Sequence, residues 1–293
     1  MSIIYQQPVD VGALAAFIAE LNTDKQHHVG YCGEKASEIA NTLTTNFSDD
    51  DLDRSFAVAY KDGKMIGALG FDVDTEEAEA EIWGPFINRQ EDWLQIAENL
   101  WDTSMSKLNG SVHTFYGFYH EENQSAQKWM KKLNAEQKGT HAILKAERSS
   151  FVHKPKHRLQ EITADYYADF INLHDTVFPD TYYNGEAVIR RLGDEHKLFI
   201  IIEEKRMLGY VYVEGSSEFK EGNIEYIAVS QDARKKGIGT ELLHGALHYF
   251  FHKLQIDKTY ICVHINNEKA IKLYRKAGFR EVSILNNYIL RLL

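Results

Sequence analysis

Apolar and polar positions along this chain follow two periods, and the order in which the periods change occurs twice. Residues 11–21 space their apolar side chains as one face of a helix. Residues 56–60 and 65–73 alternate like strands, and Lys61-Asp62-Gly63-Lys64 between them carries the Asp-Gly pair of a tight hairpin. The pattern then predicts a strand over 80–83, a helix over 91–107, a strand over 111–120 and a helix over 124–133. The acidic cluster Asp49, Asp50, Asp51 and Asp53 reads as a solvated loop. So do His27 and His28, which have no carboxylate partner at metal-ligand spacing.

From Arg148 to His157 the chain turns polar and basic around one proline, which breaks the periodicity on both sides and predicts a linker. The second half then repeats the order. It predicts a strand over 158–163, a helix over 164–177 stopped by Phe178-Pro179, and a short helix over 186–192. A hairpin of 198–203 with 207–214 follows, then a strand over 223–229 and a helix over 237–254. A strand over 259–265, a helix over 267–277 and a strand over 282–292 complete it. Met65-Ile66-Gly67 recurs as Met207-Leu208-Gly209. Glu81 with Glu225, and Asn123-x-x-Ala126 with Asn267-x-x-Ala270, stand at a constant offset of 144. The reading is a duplicated α/β chain with a first domain over 1–147, a linker over 148–157 and a second domain over 158–293.

A length of 293 residues suits two such domains. A net charge of −10 argues against a nucleic-acid partner, which needs a basic face, and favours a cationic acceptor such as an amine. No run approaches the roughly 20 apolar residues of a membrane span, and the first ten residues lack a signal-peptide pattern. The expectation is a cytoplasmic protein without membrane partners. Cys32 and Cys262 are far apart and predict two free thiols rather than a disulfide or a metal site.

The most informative stretch runs from Ile224 to Leu243. A strand enters a turn and the turn opens an amphipathic helix, with Ile238, Leu242, Leu243, Ala246 and Leu247 on its apolar face. The N–H groups of the first helical turn need partners. Gly237 and Gly239 permit close backbone approach, and Arg234, Lys235 and Lys236 add positive charge. Such a helix start suits a pyrophosphate. A dinucleotide-binding fingerprint would need glycine where Leu242 stands, and a Walker A loop would need Gly-Lys-Ser/Thr.

Val229-x-x-x-x-Arg234-x-x-Gly237-x-Gly239 resembles the acetyl-CoA motif of the GNAT acetyltransferase superfamily. Asn267-Glu268-Lys269-Ala270-Ile271-Lys272-Leu273-Tyr274-Arg275-Lys276-Ala277-Gly278-Phe279 resembles that family's second motif. The clear resemblance covers about residues 157–293; the first half shares only the element order. It implies two tandem units, each a twisted mixed sheet whose central parallel strands splay apart between flanking helices. It also implies acetyl-CoA as co-substrate, with the pantetheine arm lying between strands 223–229 and 259–265 like an added strand. Backbone groups of Ile227, Ala228 and Val229 would hold that arm, the Val229 N–H facing the thioester oxygen. Amides of Arg234, Lys235, Lys236, Gly237, Ile238, Gly239 and Thr240 would take the pyrophosphate, and Asn267 with Ala270 would lie against the cofactor.

By the same resemblance Tyr274 is the acid that protonates the departing thiolate; its other reading is a packing residue beside Leu273. Glu225 is the candidate base for the ammonium acceptor, and a water chain is the alternative. His174, Asp175, Phe178, Asp180, Tyr182 and Tyr183 form the candidate acceptor segment. Cys262 is expected to be a buried structural cysteine rather than an acyl carrier. Taken at the offset of 144, Val229 falls on Pro85, Arg234 on Gln90, and Lys235 and Lys236 on Glu91 and Asp92. Gly237 and Gly239 fall on Trp93 and Gln95, and Tyr274 on Met130. The first half is therefore expected to keep the fold and bind no cofactor. The resemblance implies transfer of an acetyl group to a primary amine, of a small molecule or of a peptide. A non-catalytic acyl-CoA sensor or scaffold is the competing class, and would need neither Tyr274 nor Glu225.

Overall fold

The computed structural model describes the chain apart from Met1, Asn46, residues 89–91, Asn109, Ser111, residues 153–157, Asp180, Tyr182 and Leu293. In chain order the first half holds β1 (Ile4–Gln6), α1 (Val11–Asn22), α2 (Ala36–Thr45), α3 (Leu52–Ser55), β2 (Phe56–Lys61), β3 (Lys64–Asp74) and β4 (Glu79–Ile87). It continues with α4 (Trp93–Met105), β5 (Thr114–His120), α5 (Gln124–Lys132) and β6 (Glu136–Glu147). The second half holds β7 (Leu159–Glu161), α6 (Tyr167–Val177), α7 (Gly185–Arg190), β8 (His196–Glu203), β9 (Arg206–Ser216) and β10 (Glu221–Val229). After these come α8 (Ile238–His248), β11 (Lys258–His264), α9 (Glu268–Ala277) and β12 (Arg280–Arg291).

The chain divides into an N-terminal unit, Met1–His141 with Ile284–Leu293, and a C-terminal unit, Ala142–Ser283. The divisions fall inside β6 and β12, not in the polar stretch 148–157. Of that stretch Arg148–Ser150 forms a short 3-10 turn, and residues 153–157 lie outside the described residues. The sequence pattern missed β6, which ends at Glu147 as the first repeat was expected to.

In the N-terminal unit the strand order is β1-β2-β3-β4-β5-β12. Every pair is antiparallel except β4–β5. Asp62 and Gly63 both adopt positive φ (53° and 75°), the two left-handed residues that match a two-residue hairpin to strand twist. Phe71, Trp101, Phe115 and Trp129 pack edge to face with centroids 5.1–5.5 Å apart. Tyr288 and Leu290 of β12 belong to the same core. α1 starts because Asp10 Oδ1 accepts the Ala13 N–H at 2.9 Å. α2 escaped the sequence pattern because only Ile39 and Leu43 mark its buried face. The acidic loop is more than solvated: Asp49 Oδ2 accepts from the Thr75 N–H and hydroxyl at 2.8 and 2.9 Å.

Asp72 and Glu81 face each other across β3 and β4. Burial, and then the Asp72 charge, push the Glu81 carboxyl up to about 8. A carboxyl raised on folding gives its full stability only while both states are protonated. That contribution is lost as pH climbs from the usual carboxylate range towards 8, at up to about 1.4 kcal/mol per pH unit. Glu81→Gln, which cannot ionise, should flatten the fall in melting temperature between pH 5 and about pH 8. Melting curves with the same slope for both proteins would remove Glu81 as the cause.

In the C-terminal unit the order is β6-β11-β10-β9-β8-β7. β8–β9 and β9–β10 are antiparallel, and β10–β11 is parallel. The β8–β9 turn uses Glu204 and Lys205 at positive φ (50° and 63°), the same geometry without glycine. Phe170, Leu198, Ile200, Tyr210, Tyr212 and Tyr226 fill one side of the sheet. Leu242, Leu243, Ala246 and Leu247 of α8, with Phe250 and Phe251, are fully buried. The long helix expected over 237–254 is α8 followed by a π turn, Tyr249–Lys253.

Candidate functional site

β10 and β11 pair over only three positions, Glu221 with Lys258, Gly222 with Thr259 and Asn223 with Tyr260. Both strands continue past that point, so they part, as the resemblance implies for a central parallel pair. Ser230 N donates to Leu208 O at 2.9 Å. In the antiparallel register that bond directs Tyr226, Ala228 and Ser230 towards β9, and the backbone of Ile227 and Val229 the other way, into the opening. Ala228, expected with them among the pantetheine-binding backbones, thus spends its bonds on β9. The Val229 carbonyl accepts from Arg234 Nε at 3.3 Å.

Glu225 sits where the β9–β10 register slips: Val213 pairs with Ile224 and Tyr212 with Tyr226, leaving Glu225 as the extra residue of a bulge. Bulges beside active sites re-aim a side chain. Asn223, Glu225, Ile227 and Val229 share the more exposed face of β10, as alternation predicts. Opposite, the Cys262 thiol on β11 is pushed up to about 12 by enclosure and by the Glu225 charge. Cys262 is exposed at its surface, against the buried position expected of it, because its side of β11 faces the opening. Tyr274 on α9 is buried, and burial, with Cys262 next, pushes its hydroxyl up to about 12. Cys262 on β11 therefore stands within electrostatic reach of both Glu225 on β10 and Tyr274 on α9.

Beyond Val229 the chain makes a 3-10 turn, Gln231–Ala233, then Arg234 in extended backbone. Lys235 and Gly237 follow with positive φ, 65° and 83°. α8 begins at once, with no side chain capping its first N–H groups. Arg234, Lys235, Lys236 and Gly237 are exposed, and a Cβ on Gly237 would meet no atom within 4 Å. Gly239 is tighter, since Leu273 would stand 3.0 Å from its Cβ. Glu241, the acid of the first turn, is held by the Arg158 N–H at 2.6 Å and by its guanidinium at 3.1–3.3 Å. Open amides, a left-handed glycine and a neutralised carboxylate fit an incoming pyrophosphate.

The Asn267 Oδ1 accepts the Ala270 N–H at 3.2 Å and caps α9. Asn123 and Ala126 do the same for α5 at 3.2 Å. The repeated Asn-x-x-Ala is thus explained by capping in both units, without reference to a cofactor.

On the acceptor side, His174 is fully buried rather than exposed to a ligand. Its Nε2–H donates to the Tyr183 carbonyl at 2.8 Å, so Nδ1 accepts from the Tyr210 hydroxyl at 2.6 Å. Burial lowers its pKa, which keeps it neutral. Asp175 accepts the Gly185 N–H at 2.8 Å. Phe178 packs on Tyr226 with centroids 5.3 Å apart, and Asp180 and Tyr182 lie outside the described residues. The sequence reading missed Thr181, whose hydroxyl meets Tyr226 OH at 2.6 Å, and Arg191, which forks onto Glu214 at 3.0 and 3.2 Å and lies 4.2 Å from the Tyr183 ring centre. Both are single residues in connecting segments, and no local spacing marks them.

The hairpin register corrects the comparison of the two units. Gly67 pairs with Ile87 as Gly209 pairs with Val229, so Val229 answers to Ile87, and Glu81 to Asn223. Pro85 stands at the level of Ile227. Helix starts pair Asp92 with Gly237 and Leu94 with Gly239. The offset of 144 does hold for β5 with β11 and for β6 with β12. Gln90 and Glu91 lie outside the described residues.

The sequence model of the acetyltransferase (GNAT) family matches residues 158–279. The N-alpha-acetyltransferase of Sulfolobus acidocaldarius is 30% identical over 129 residues, which span 40% of this chain and 76% of that protein. That of Sulfurisphaera tokodaii is 38% identical over 69 residues, 24% of this chain and 41% of its own. Two solved structures share the fold along nearly the whole chain. A GCN5-related N-acetyltransferase from Sphaerobacter thermophilus has a TM-score of 0.73 at 14% identity, covering 99% of this chain and 95% of its own. A tandem GNAT protein from the clavulanic acid biosynthesis pathway has a TM-score of 0.68 at 12% identity, covering 99% and 98%.

Proposed function

This chain belongs to the acetyltransferase (GNAT) family, and from that premise we propose that its C-terminal unit transfers the acetyl group of acetyl-CoA directly to a primary amine. The observation that carries the reading is the parting of β10 from β11 beyond Asn223 and Tyr260, with Glu225 on the bulge at one side and Tyr274 beside the other strand. Ile227 and Val229 hold the extended arm of the co-substrate, and the turn from Arg234 to Thr240 holds its phosphates. Glu225 takes a proton from the ammonium, directly or through water. The amine nitrogen then bonds to the acetyl carbon while the Val229 N–H stabilises the developing oxyanion. As the C–S bond breaks, Tyr274 gives its proton to the sulfur, and the nitrogen sheds its second proton to water, from which the phenol is restored. The thiol of Cys262, held protonated, stays outside the reaction.

The acceptor we favour is a small amine held at Glu225, with Tyr183 close by. The relatives that acetylate an α-amino group support a second reading, in which a peptide amino terminus occupies the same place. Turnover of acetyl-CoA with a panel of amines and short peptides separates the two. No thiol release with any acceptor would favour a sensor. Equilibrium binding to the intact chain should give one acetyl-CoA per polypeptide, and a stoichiometry of two would remove the assignment of a single competent unit.

A further inference from the structure

β4 and β5 part just as their counterparts do. Their parallel pairing ends at Glu81 with Tyr116, although β4 runs on to Ile87 and β5 to His120. On β5 the residues bonded to β12 are fixed by Glu121 N donating to Ile284 O at 2.9 Å, which turns Phe118 and His120 towards the opening. There the chain bonds to itself. Gly30 N donates to Phe118 O at 2.7 Å, and His120 N donates to His28 O at 3.2 Å, with Val29 opposite Tyr119 in an antiparallel bridge.

Val29 is fully buried, and so is Asn22 at the end of α1. Asn22 Oδ1 accepts the Val29 N–H at 2.7 Å, and its Nδ2 donates to the carbonyls of Cys32 and Gly33 at 2.9 and 3.0 Å. Its own carbonyl accepts from His28 Nδ1 at 2.8 Å. Asn123 Nδ2 donates to His28 O at 3.3 Å, and the Tyr119 hydroxyl bridges to Gly84 O at 2.9 Å. His28, read from the sequence as a solvated loop residue, is part of this inner strand. In the C-terminal unit the connection between α6 and α7 is shorter, and its hydrogen bonds go instead to His174 on α6 and Tyr226 on β10.

We propose that the N-terminal unit fills its own cofactor opening. His28, Val29 and Gly30 bind there as an added strand in the manner of a peptide ligand, and Asn22 is the residue that holds them. The inference rests on the reading that the C-terminal opening takes the pantetheine arm, but its test does not. Backbone amide hydrogen exchange on the intact protein without acetyl-CoA should show slow exchange at Val29, Gly30 and His120. Asn22→Ala removes three of the bonds above and should speed exchange at all three amides by about tenfold or more, leaving the β2–β3 hairpin unchanged. Gly30→Leu is the second route, because a Cβ there would lie 2.5 Å from Phe118 and 2.7 Å from Leu285. Unchanged exchange at His120 in both variants overturns the proposal. So does acetyl-CoA that slows exchange at Gly30 and His120 in the wild-type chain. Failure of acetyl-CoA to bind at all would count against the proposed activity and leave the exchange result standing.

Discussion

Replacing Gly237 by glutamate is expected to abolish acetyl-CoA binding in a chain that still folds. The residue stands at φ +83° immediately before α8, with open space where a Cβ would go. An L-residue there costs about 1–2 kcal/mol of backbone strain, and a melting point lower by a few degrees. The functional loss is larger because a carboxylate would project towards the uncapped amides of α8, the proposed site of the phosphates. Gly237→Gln carries the same backbone cost without the charge and should keep measurable affinity. Calorimetry with near-normal affinity for the folded glutamate variant would remove this turn as the phosphate site.

Tyr274→Phe should lower kcat by about 10²-fold or more while the KM for acetyl-CoA stays close to wild type. The hydroxyl is the only group removed, and in the proposed mechanism it acts only as the thiolate leaves. Because burial and Cys262 push it up to about 12, the phenol keeps its proton through neutral and moderately alkaline pH. The kcat profile should therefore show no loss from this group below about pH 10. Cys262→Ala is the companion, expected to retain kcat, since a thiol pushed up to about 12 supplies no nucleophile. Single-turnover rates equal to wild type in Tyr274→Phe would assign the tyrosine to packing alone.

What the sequence disclosed was whatever is coded by neighbours along the chain. The turn from Arg234 to Gly239, the hairpins, and the helix that carries Tyr274 are all local patterns, and each lies where the spacing puts it. The bulge at Glu225 was hidden because it depends on which residue of β9 stands opposite, and alternation along β10 continues through it undisturbed. A single offset for the two repeats failed for a similar reason. Five residues separate β4 from α4 and eight separate β10 from α8, so the offset of 142 shared by β3 and β4 gives way to 144 at β5, and the register must be taken from the partner strand. Asn22 carried no signal at all. It reads as the polar end of a helix, and its function comes from carbonyls at Cys32 and Gly33 that only the folded loop brings to it.

The place of Ile284–Leu293 has a consequence for how the molecule is made. Leu285 to Arg291 pair with His120 to Thr114, and Tyr288 and Leu290 lie in the core around Trp101 and Phe115. The N-terminal unit, made before the C-terminal one, therefore lacks a strand until residues 284–291 have been added. At about 5–20 residues per second it waits on the order of ten seconds or more with one edge of β5 uncovered. Loss of residues 284–291 would strike the unit synthesised first.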